Sequence, residues 1–359
     1  MSRGQMPFRR RRGWPPRGGR PAAGTIPPAP PMSPGELRQD PLSGRWVAIS
    51  AGRAARPEAF LHEQGPLRGP LGCPFCPGNE HMTPPEVWAD REDGSAPDGP
   101  GWRVRAVPNK FPAFAGPDAP SGQGLYRAAP TAGAHEVVVH SPDHFATLAD
   151  QPADGVARVL SGWKHRLAAW READLGSVTV IVNQGRLAGA SLEHPHSQVF
   201  ATAARPVVVE AELARLAGPD CVACAMVNKE RGGERVVDDA DGLLTLCPWA
   251  SSLPFEALLL PEEHLARFEQ AGPGEALTAA ALGGLLRRLA AACGPRTPYN
   301  LVLHTAPPGV GDFHWHLHLF PRLTTFGGFE LASGIVINVV DPDQAAGAMR
   351  AAGPGLSGS

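Results

Sequence analysis

"HEVVVHSPDHFATL", residues 135–148, and "FEALLLPEEHLARF", residues 255–268, read alike: an acid, an apolar strand, a turn with proline and acid, a histidine and an apolar continuation. The register is shared too. Glu136 precedes His144 by eight positions, and Glu256 precedes His264 by eight. Each stretch leads into an amphipathic helical segment, "ADGVARVLSGWKHRLAAW" (153–170) or "EALTAAALGGLLRRLAAA" (275–292). Each then reaches a strand, "SVTVIVNQG" (177–185) or "YNLVLHTAP" (299–307). Each ends on a His-x-His, with fifty residues from His144 to His194 and fifty from His264 to His314. So many equal spacings identify a duplicated strand-helix-strand unit. Two such copies suit an α+β fold built around one long, mostly antiparallel sheet with packed helices.

A Cys-x-x-Cys pair precedes each copy, Cys73 with Cys76 and Cys221 with Cys224. In a reducing compartment this spacing points to zinc thiolates or a redox pair rather than structural disulfides. Two further ligands are needed to close a metal site, and the repeat nominates them. Cys73, Cys76, His144 and His194 make one tetrahedral Cys2His2 set; Cys221, Cys224, His264 and His314 make a second. Cys247 and Cys293 are expected to be buried small apolar groups. His62, His81, His135, His140, His165 and His304 are assigned no role.

Charge and composition narrow the partners. With 33 basic and 35 acidic residues the formal charge is −2, so no global field favours a polyanion or an acidic membrane. Seven arginines (3, 9, 10, 11, 12, 17 and 20) stand before the first acid, Glu36, among prolines and glycines. That composition predicts a disordered, solvated tail over 1–35. It lacks the apolar segment of a secretory signal. No unbroken apolar run reaches the length of a membrane span, so a soluble, cytoplasmic chain is expected. A zinc-ribbon nucleic-acid module would carry basic and aromatic residues around its cysteines. "GPLGCPFCPGNEHM" (69–82) has no basic cluster, and no nucleic-acid partner is expected.

In "EHPHSQ" (193–198), strand periodicity puts His194, His196 and Gln198 on one face and turns Glu193 away. Pro195 stiffens the strand and removes a donor, which places it at a sheet edge or a sheet end. A closed zinc at His194 does no chemistry itself but would fix the backbone beside His196. A neutral imidazole with one nitrogen bonded to a carbonyl presents the other as a nucleophile near pH 7. Gln198 could hydrogen-bond an oxygen of the electrophile, and phosphorus is a natural target.

With "HPHSQ" preceded by "VNQGRLAGAS" (182–191), and with "DPLSGRWVAISAGRAARP" (40–57), "CPFCPGNE" (73–80), "VPNKFPAF" (107–114), "SPDH" (141–144) and "GGFELASGIVIN" (327–338), the chain closely resembles the galactose-1-phosphate uridylyltransferase family of the histidine-triad superfamily. The resemblance spans residues 37 to about 350. It implies histidine-triad-like halves over 36–205 and 206–350, a flexible tail over 351–359, and a homodimer. It also implies ping-pong transfer: His196 takes the uridylyl group from UDP-glucose, releasing glucose 1-phosphate, and galactose 1-phosphate then accepts it. UDP-sugar and hexose 1-phosphate are the implied substrates. Matched by motif, Arg53 and Arg56 contact the nucleotide sugar, Asn109 holds uridine, Asn183, Gly189 and Ser191 line the phosphate side, and Gln198 bonds the transferred phosphoryl group. Phe329 and Glu330 match sugar-binding positions.

Two departures bear on substrate. Well-known bacterial members bind their second metal, iron, with a glutamate and three histidines, whereas Cys221 and Cys224 make this chain more like two-zinc relatives, some of which transfer adenylyl groups. The lysine expected before "GGFEL" is replaced by Thr324 and Thr325. An adenylyl-transferring ADP-sugar phosphorylase, or a nucleotide-sugar hydrolase, is therefore the alternative. In "FHWHLHLFPRL" (313–323), His314, His316 and His318 share a strand face. The repeat favours His314 for the second zinc, and the iron-site pattern favours His316 and His318. His316 stands at the repeat position of His196 without the Pro-His-x-Gln context, so the second half is expected to be a structural copy.

Overall fold

Side chains alternate along the strands, so the sheet has one face packed against the two long helices and an opposite face that a second, smaller core covers in part. The computed structural model describes residues 35–50, 69–92, 94–116, 125, 131–173, 175–270 and 272–353. In chain order the elements are β1 (Glu36–Gln39), β2 (Trp46–Ile49), β3 (Trp88–Arg91), β4 (Trp102–Pro108), β5 (Gly133–Val139), α1 (Ala153–Arg171), β6 (Ser177–Gln184) and β7 (His196–Thr202). The second half follows with α2 (Val207–Leu216), α3 (Val222–Glu230), β8 (Val236–Ala240), β9 (Leu243–Leu246), β10 (Ala257–Pro261), α4 (Glu275–Cys293), β11 (Tyr299–His304) and β12 (His316–Pro321). Then come α5 (Gly328–Ser333), β13 (Val336–Asn338) and α6 (Pro342–Ala352).

Among the described residues ten strands form one sheet, ordered β3-β4-β5-β7-β6-β11-β12-β10-β9-β8. All its pairings are antiparallel. The order is palindromic: β5-β7-β6 of one copy meets β11-β12-β10 of the other through the β6–β11 ladder, where Asn183 lies opposite Asn300. A smaller sheet holds β1, β2 and β13, with β13 parallel to β2. Gly133 opens β5 at φ 138°, where a Cβ would meet the Ala201 carbonyl oxygen at 2.0 Å, so only glycine lets β5 approach β7 this closely.

Helix α1 starts after Pro152 and buries Val156, Val159, Leu160, Trp163 and Leu167, the spacing of one helical stripe. The corresponding α4 buries Leu282, Leu285, Leu286 and Leu289. Both stripes join Val180, Val199, Leu301 and Leu317 in one core that is continuous across the two copies. Helix α4 is long and apolar enough, by length and composition alone, to cross a membrane. Its alanines raise the mean hydropathy although Arg287 and Arg288 interrupt the apolar run, and its leucines pack within the core.

Ser197 faces the helices, and its hydroxyl oxygen accepts from the buried indole N–H of Trp163 at 2.8 Å. Replacing Trp163 with phenylalanine should cost about 1–2 kcal/mol in denaturant unfolding, because it strands a buried hydroxyl while largely preserving ring packing. A change within experimental error would show that this bond adds nothing.

The arginine-rich segment 1–34, together with Arg53, Arg56 and His62, lies outside the described residues. At the other end, α6 continues to Ala352, two residues into the flexible tail expected over 351–359, and residues 354–359 lie outside the described residues. Asp341 caps this helix by accepting from the Asp343 N–H at 2.9 Å, and Ala345, Ala346 and Met349 bury against the core.

Candidate active site and metal centres

On β7, Ser197, Val199 and Ala201 are buried on the helix side. His196, Gln198 and Phe200 therefore face the opposite side. The strand is central, between β5 and β7's other neighbour β6, so the edge reading of Pro195 is corrected. Pro195 stands one residue before β7, and its carbonyl accepts from the His140 N–H at 3.0 Å. Its missing donor thus costs no ladder bond. His194 also precedes the strand, so strand periodicity is not what joins it to His196. Phe75, from the first cysteine pair, packs beside both rings, with centroids 6.1 Å from His194 and 5.3 Å from His196.

The His196 Nδ1–H donates to the carbonyl of His194 at 2.8 Å. That bond leaves the lone pair on Nε2. Burial holds the imidazole below its usual pKa despite the bond to His194, so it is neutral at pH 7. A cavity of about 180 Å³ opens at this ring, lined by Gln198, Asn109, Ser191, Phe75 and Val107 among others. A neutral nucleophile, amide donors and an apolar wall suit attack on the phosphorus of a nucleotide.

The first metal set assembles as the repeat predicted. Cys76 Sγ lies 3.3 Å from His144 Nδ1 and 3.6 Å from His194 Nδ1, and Cys73 Sγ lies 3.7 Å from His194 Nδ1. The second matches it, with Cys224 Sγ at 3.3 Å from His264 Nδ1 and 3.4 Å from His314 Nδ1, and Cys221 Sγ at 3.7 Å from His314 Nδ1. A tetrahedral ion bonded to sulfur at about 2.3 Å and nitrogen at about 2.0 Å spaces such atoms roughly 3.5 Å apart, so both sets could hold a metal. Opposite nitrogens are anchored: His194 Nε2–H to Ser141 O, His314 Nε2–H to Pro261 O, and His264 Nε2 to Asp312 Oδ1, each at 2.8 Å. Such bonds fix the tautomer that offers Nδ1 to an ion. Burial pushes His194 and His314 down to about 4. Burial, with the neighbouring thiol, pushes Cys76 and Cys224 up to about 11.

The choice between His314 and His316 dissolves, because the structure uses them in different places. His316, His318 and His304 form a third group whose ligand atoms lie within 4.8 Å of one another. Glu212 accepts from His304 Nδ1 at 2.9 Å, His314 O from His316 Nδ1 at 3.1 Å, and Glu256 from His318 Nε2 at 2.8 Å. Nε2 of both His304 and His316 is buried without a partner. Two orphaned nitrogens in a group of three anchored imidazoles could hold an ion. Sequence reasoning left His304 without a role. The signal was its register, since β11 and β12 place it directly opposite His316.

The other expected residues scatter. Asn109, Ser191 and Gln198 share the cavity with His196. Asn183 is at the β6–β11 seam, where its side-chain oxygen accepts from Asn300 at 2.8 Å. Gly189, at φ 87°, closes the turn Arg186–Ala188, and its N–H is spent on Arg186 O. Glu330 accepts from the Gly327 N–H at 2.9 Å as part of the cap of α5, and Phe329 is exposed. Neither Phe329, Glu330, Asn183 nor Gly189 lines the His196 cavity. A local turn keeps Gly189 elsewhere, a helix cap keeps Glu330 elsewhere, and the β6–β11 ladder does the same for Asn183. Cys247 is fully buried and Cys293 is partly so, in line with their apolar assignment.

A family model described as "Galactose-1-phosphate uridyl transferase, N-terminal domain" matches residues 32–206. The chain is 33% identical over 339 residues to the ADP-glucose phosphorylase of Arabidopsis thaliana, covering 88% of this chain and 92% of that one. It is 29% identical over 316 residues to the galactose-1-phosphate uridylyltransferase of Haemophilus influenzae, covering 80% and 83%. The crystal structure of an Arabidopsis thaliana ADP-glucose phosphorylase with bound ADP-glucose superimposes with a TM-score of 0.73 at 28% identity, covering 89% of this chain and 98% of that one. With its duplicated units on one sheet and its His-Pro-His-x-Gln strand, the chain belongs to the galactose-1-phosphate uridylyltransferase family of nucleotidyltransferases.

Proposed function

We propose that this chain transfers an adenylyl group from an ADP-sugar to inorganic phosphate through an adenylyl-His196 intermediate. The similarity to ADP-glucose phosphorylase over nearly the whole of both chains carries this reading. In the first step the Nε2 lone pair of His196 attacks the α-phosphorus, an N–P bond forms, and the P–O bond to the sugar phosphate breaks, releasing glucose 1-phosphate. The imidazole gains positive charge, and its Nδ1–H bond to His194 O strengthens as it does. In the second step a phosphate oxygen attacks the same phosphorus, ADP leaves, and neutral His196 returns. Gln198 offers its amide hydrogens to the phosphoryl oxygens, while Phe75 and Val107 keep the cavity wall apolar.

Zinc fits both Cys2His2 sets, and with all four positions filled by protein it would organise structure and do no chemistry. His304, His316 and His318 would hold a further ion, with Glu212 and Glu256 anchoring the rings of His304 and His318. This histidine group in the second half, where the iron-site pattern of bacterial members would use His316 and His318, favours a second reading, uridylyl transfer from UDP-glucose to galactose 1-phosphate by the same histidine. Exposed Phe326, Phe329 and Leu331 on and before α5 support a homodimer.

Parallel incubation with ADP-glucose and UDP-glucose, followed by intact mass, separates the readings. The expected result is an AMP adduct on His196 that phosphate discharges as ADP. A UMP adduct discharged by galactose 1-phosphate would establish the second reading instead, and no adduct from either donor would sink both.

A further inference from the structure

The hydrogen-bond partner of Gln198 is a histidine that reading the sequence leaves without a role. His135, on β5, is buried, and its Nδ1 accepts from the backbone N–H of Ala113 at 3.2 Å. A backbone N–H can only donate, so Nδ1 carries no proton and the neutral ring must carry its proton on Nε2. Nε2 faces Gln198 Oε1 at 2.8 Å and therefore donates to it. This chain of donors fixes the glutamine amide, whose two ends are otherwise interchangeable: oxygen toward His135, NH2 away from it. The amide nitrogen of Asn109 also lies 3.1 Å from Nε2. With Nε2 protonated this is a contact between two donors and not a hydrogen bond, and the Asn109 amide is held instead through its oxygen, which accepts from the Phe111 N–H at 2.9 Å.

The ring is held from its face too. Phe200 stacks on His135 with centroids 4.0 Å apart at 25°, and the β5–β7 ladder sets the two residues directly opposite. The second copy lacks this device. Phe255 stands at the repeat position of His135 and His318 at that of Gln198, with His318 bonded to Glu256 instead. The orienting pair occurs only in the half that has the His-Pro-His-x-Gln strand.

We propose that His135 is a positioning residue, which aims the Gln198 amide N–H at the phosphoryl group that His196 accepts. The proposal rests on the nucleotidyl-His196 reading but not on which base is transferred. With His135 in place the donor is preorganised; without it the amide can turn its oxygen toward the phosphoryl oxygens, where it repels them.

The test combines His135→Phe, which keeps the stack and removes the N–H, with His135→Gln, whose terminal amide restores a donor near the same place. Quenched-flow mass spectrometry, using whichever of ADP-glucose or UDP-glucose labels the unmodified enzyme, reads the rate of adduct formation. H135F should slow that step about 10- to 50-fold with KM altered less than about threefold. H135Q should recover most of the rate, and H135F should add nothing in a Gln198→Ala background. Wild-type rates in H135F, or additive losses in the double variant, would overturn the proposal. Nitrogen-15 NMR of the full chain gives an arm independent of turnover and of H135F folding: His135 should be the Nε2–H tautomer, and the Nδ1–H tautomer would overturn the proposal. Absence of any adduct in the unmodified enzyme would count against the proposed function, while the tautomer arm would still judge the orientation.

Discussion

Replacing His196 with asparagine will abolish the nucleotidyl-enzyme adduct and reduce turnover roughly 10⁴-fold or more, the scale on which losing a nucleophile is felt. By the rate-to-barrier conversion this is about 5–6 kcal/mol of transition-state stabilisation. Asparagine can place an amide nitrogen near Nδ1 and so keep the bond to His194 O, but it has nothing at the Nε2 position to attack phosphorus. Metal content and melting temperature should therefore stay close to those of the unmodified chain. A His196→Asn enzyme that still formed the adduct at a normal rate would move the nucleophile elsewhere.

Removing Cys73 should have the largest structural effect. Its thiolate belongs to a set whose histidines hold the backbone before β7, and Phe75 between the two cysteines packs on His194 and His196. Cys73→Ser should release one equivalent of metal and cost about 3 kcal/mol, or roughly 6 °C in melting temperature for a domain of this size. Transfer should also slow, because the loop that ends on His196 loses its anchor. Cys221→Ser should release a comparable equivalent and lower stability while largely preserving adduct formation, since that set adjoins the second copy. Elemental analysis with a melting curve and an adduct assay checks all three readouts. Equal losses of transfer in the two variants would contradict the separation of roles.

Proton competition gives these sites a pH sense. Burial and the neighbouring thiol push Cys76 and Cys224 up to about 11, so without a metal both keep their protons at pH 7. A bound ion must displace those protons, and its retention therefore weakens as pH falls. A chelator should strip the metal faster at pH 5.5 than at pH 8; the opposite order would argue against thiolate ligation.

Much of the site was legible because duplication turned spacing into geometry. Glu136 to His144 to His194 repeats as Glu256 to His264 to His314, and both Cys2His2 sets come together as that register implies. Helices α1 and α4 begin at the residues their apolar stripes indicated, after a proline and a glycine respectively. His304 was illegible for a plain reason: its role depends on its cross-strand pairing with His316 and on Glu212 from α2, which lies far away in sequence. His135 was missed likewise, since its partners are Ala113 from a loop and Gln198 from the neighbouring strand.

The sequence by itself determined the repeat, the antiparallel α+β plan and the two cysteine-histidine sets, because each rests on periodicity or on local spacing along one chain, whereas the role expected of His196 rests on the family's motif. Only the tertiary structure decided that β7 is central, that His314 and His316 belong to different groups, and that Gln198 is oriented by His135. Strand order and cross-strand partners are set by packing between distant segments, and no local pattern of residues encodes which side chain a buried nitrogen will meet.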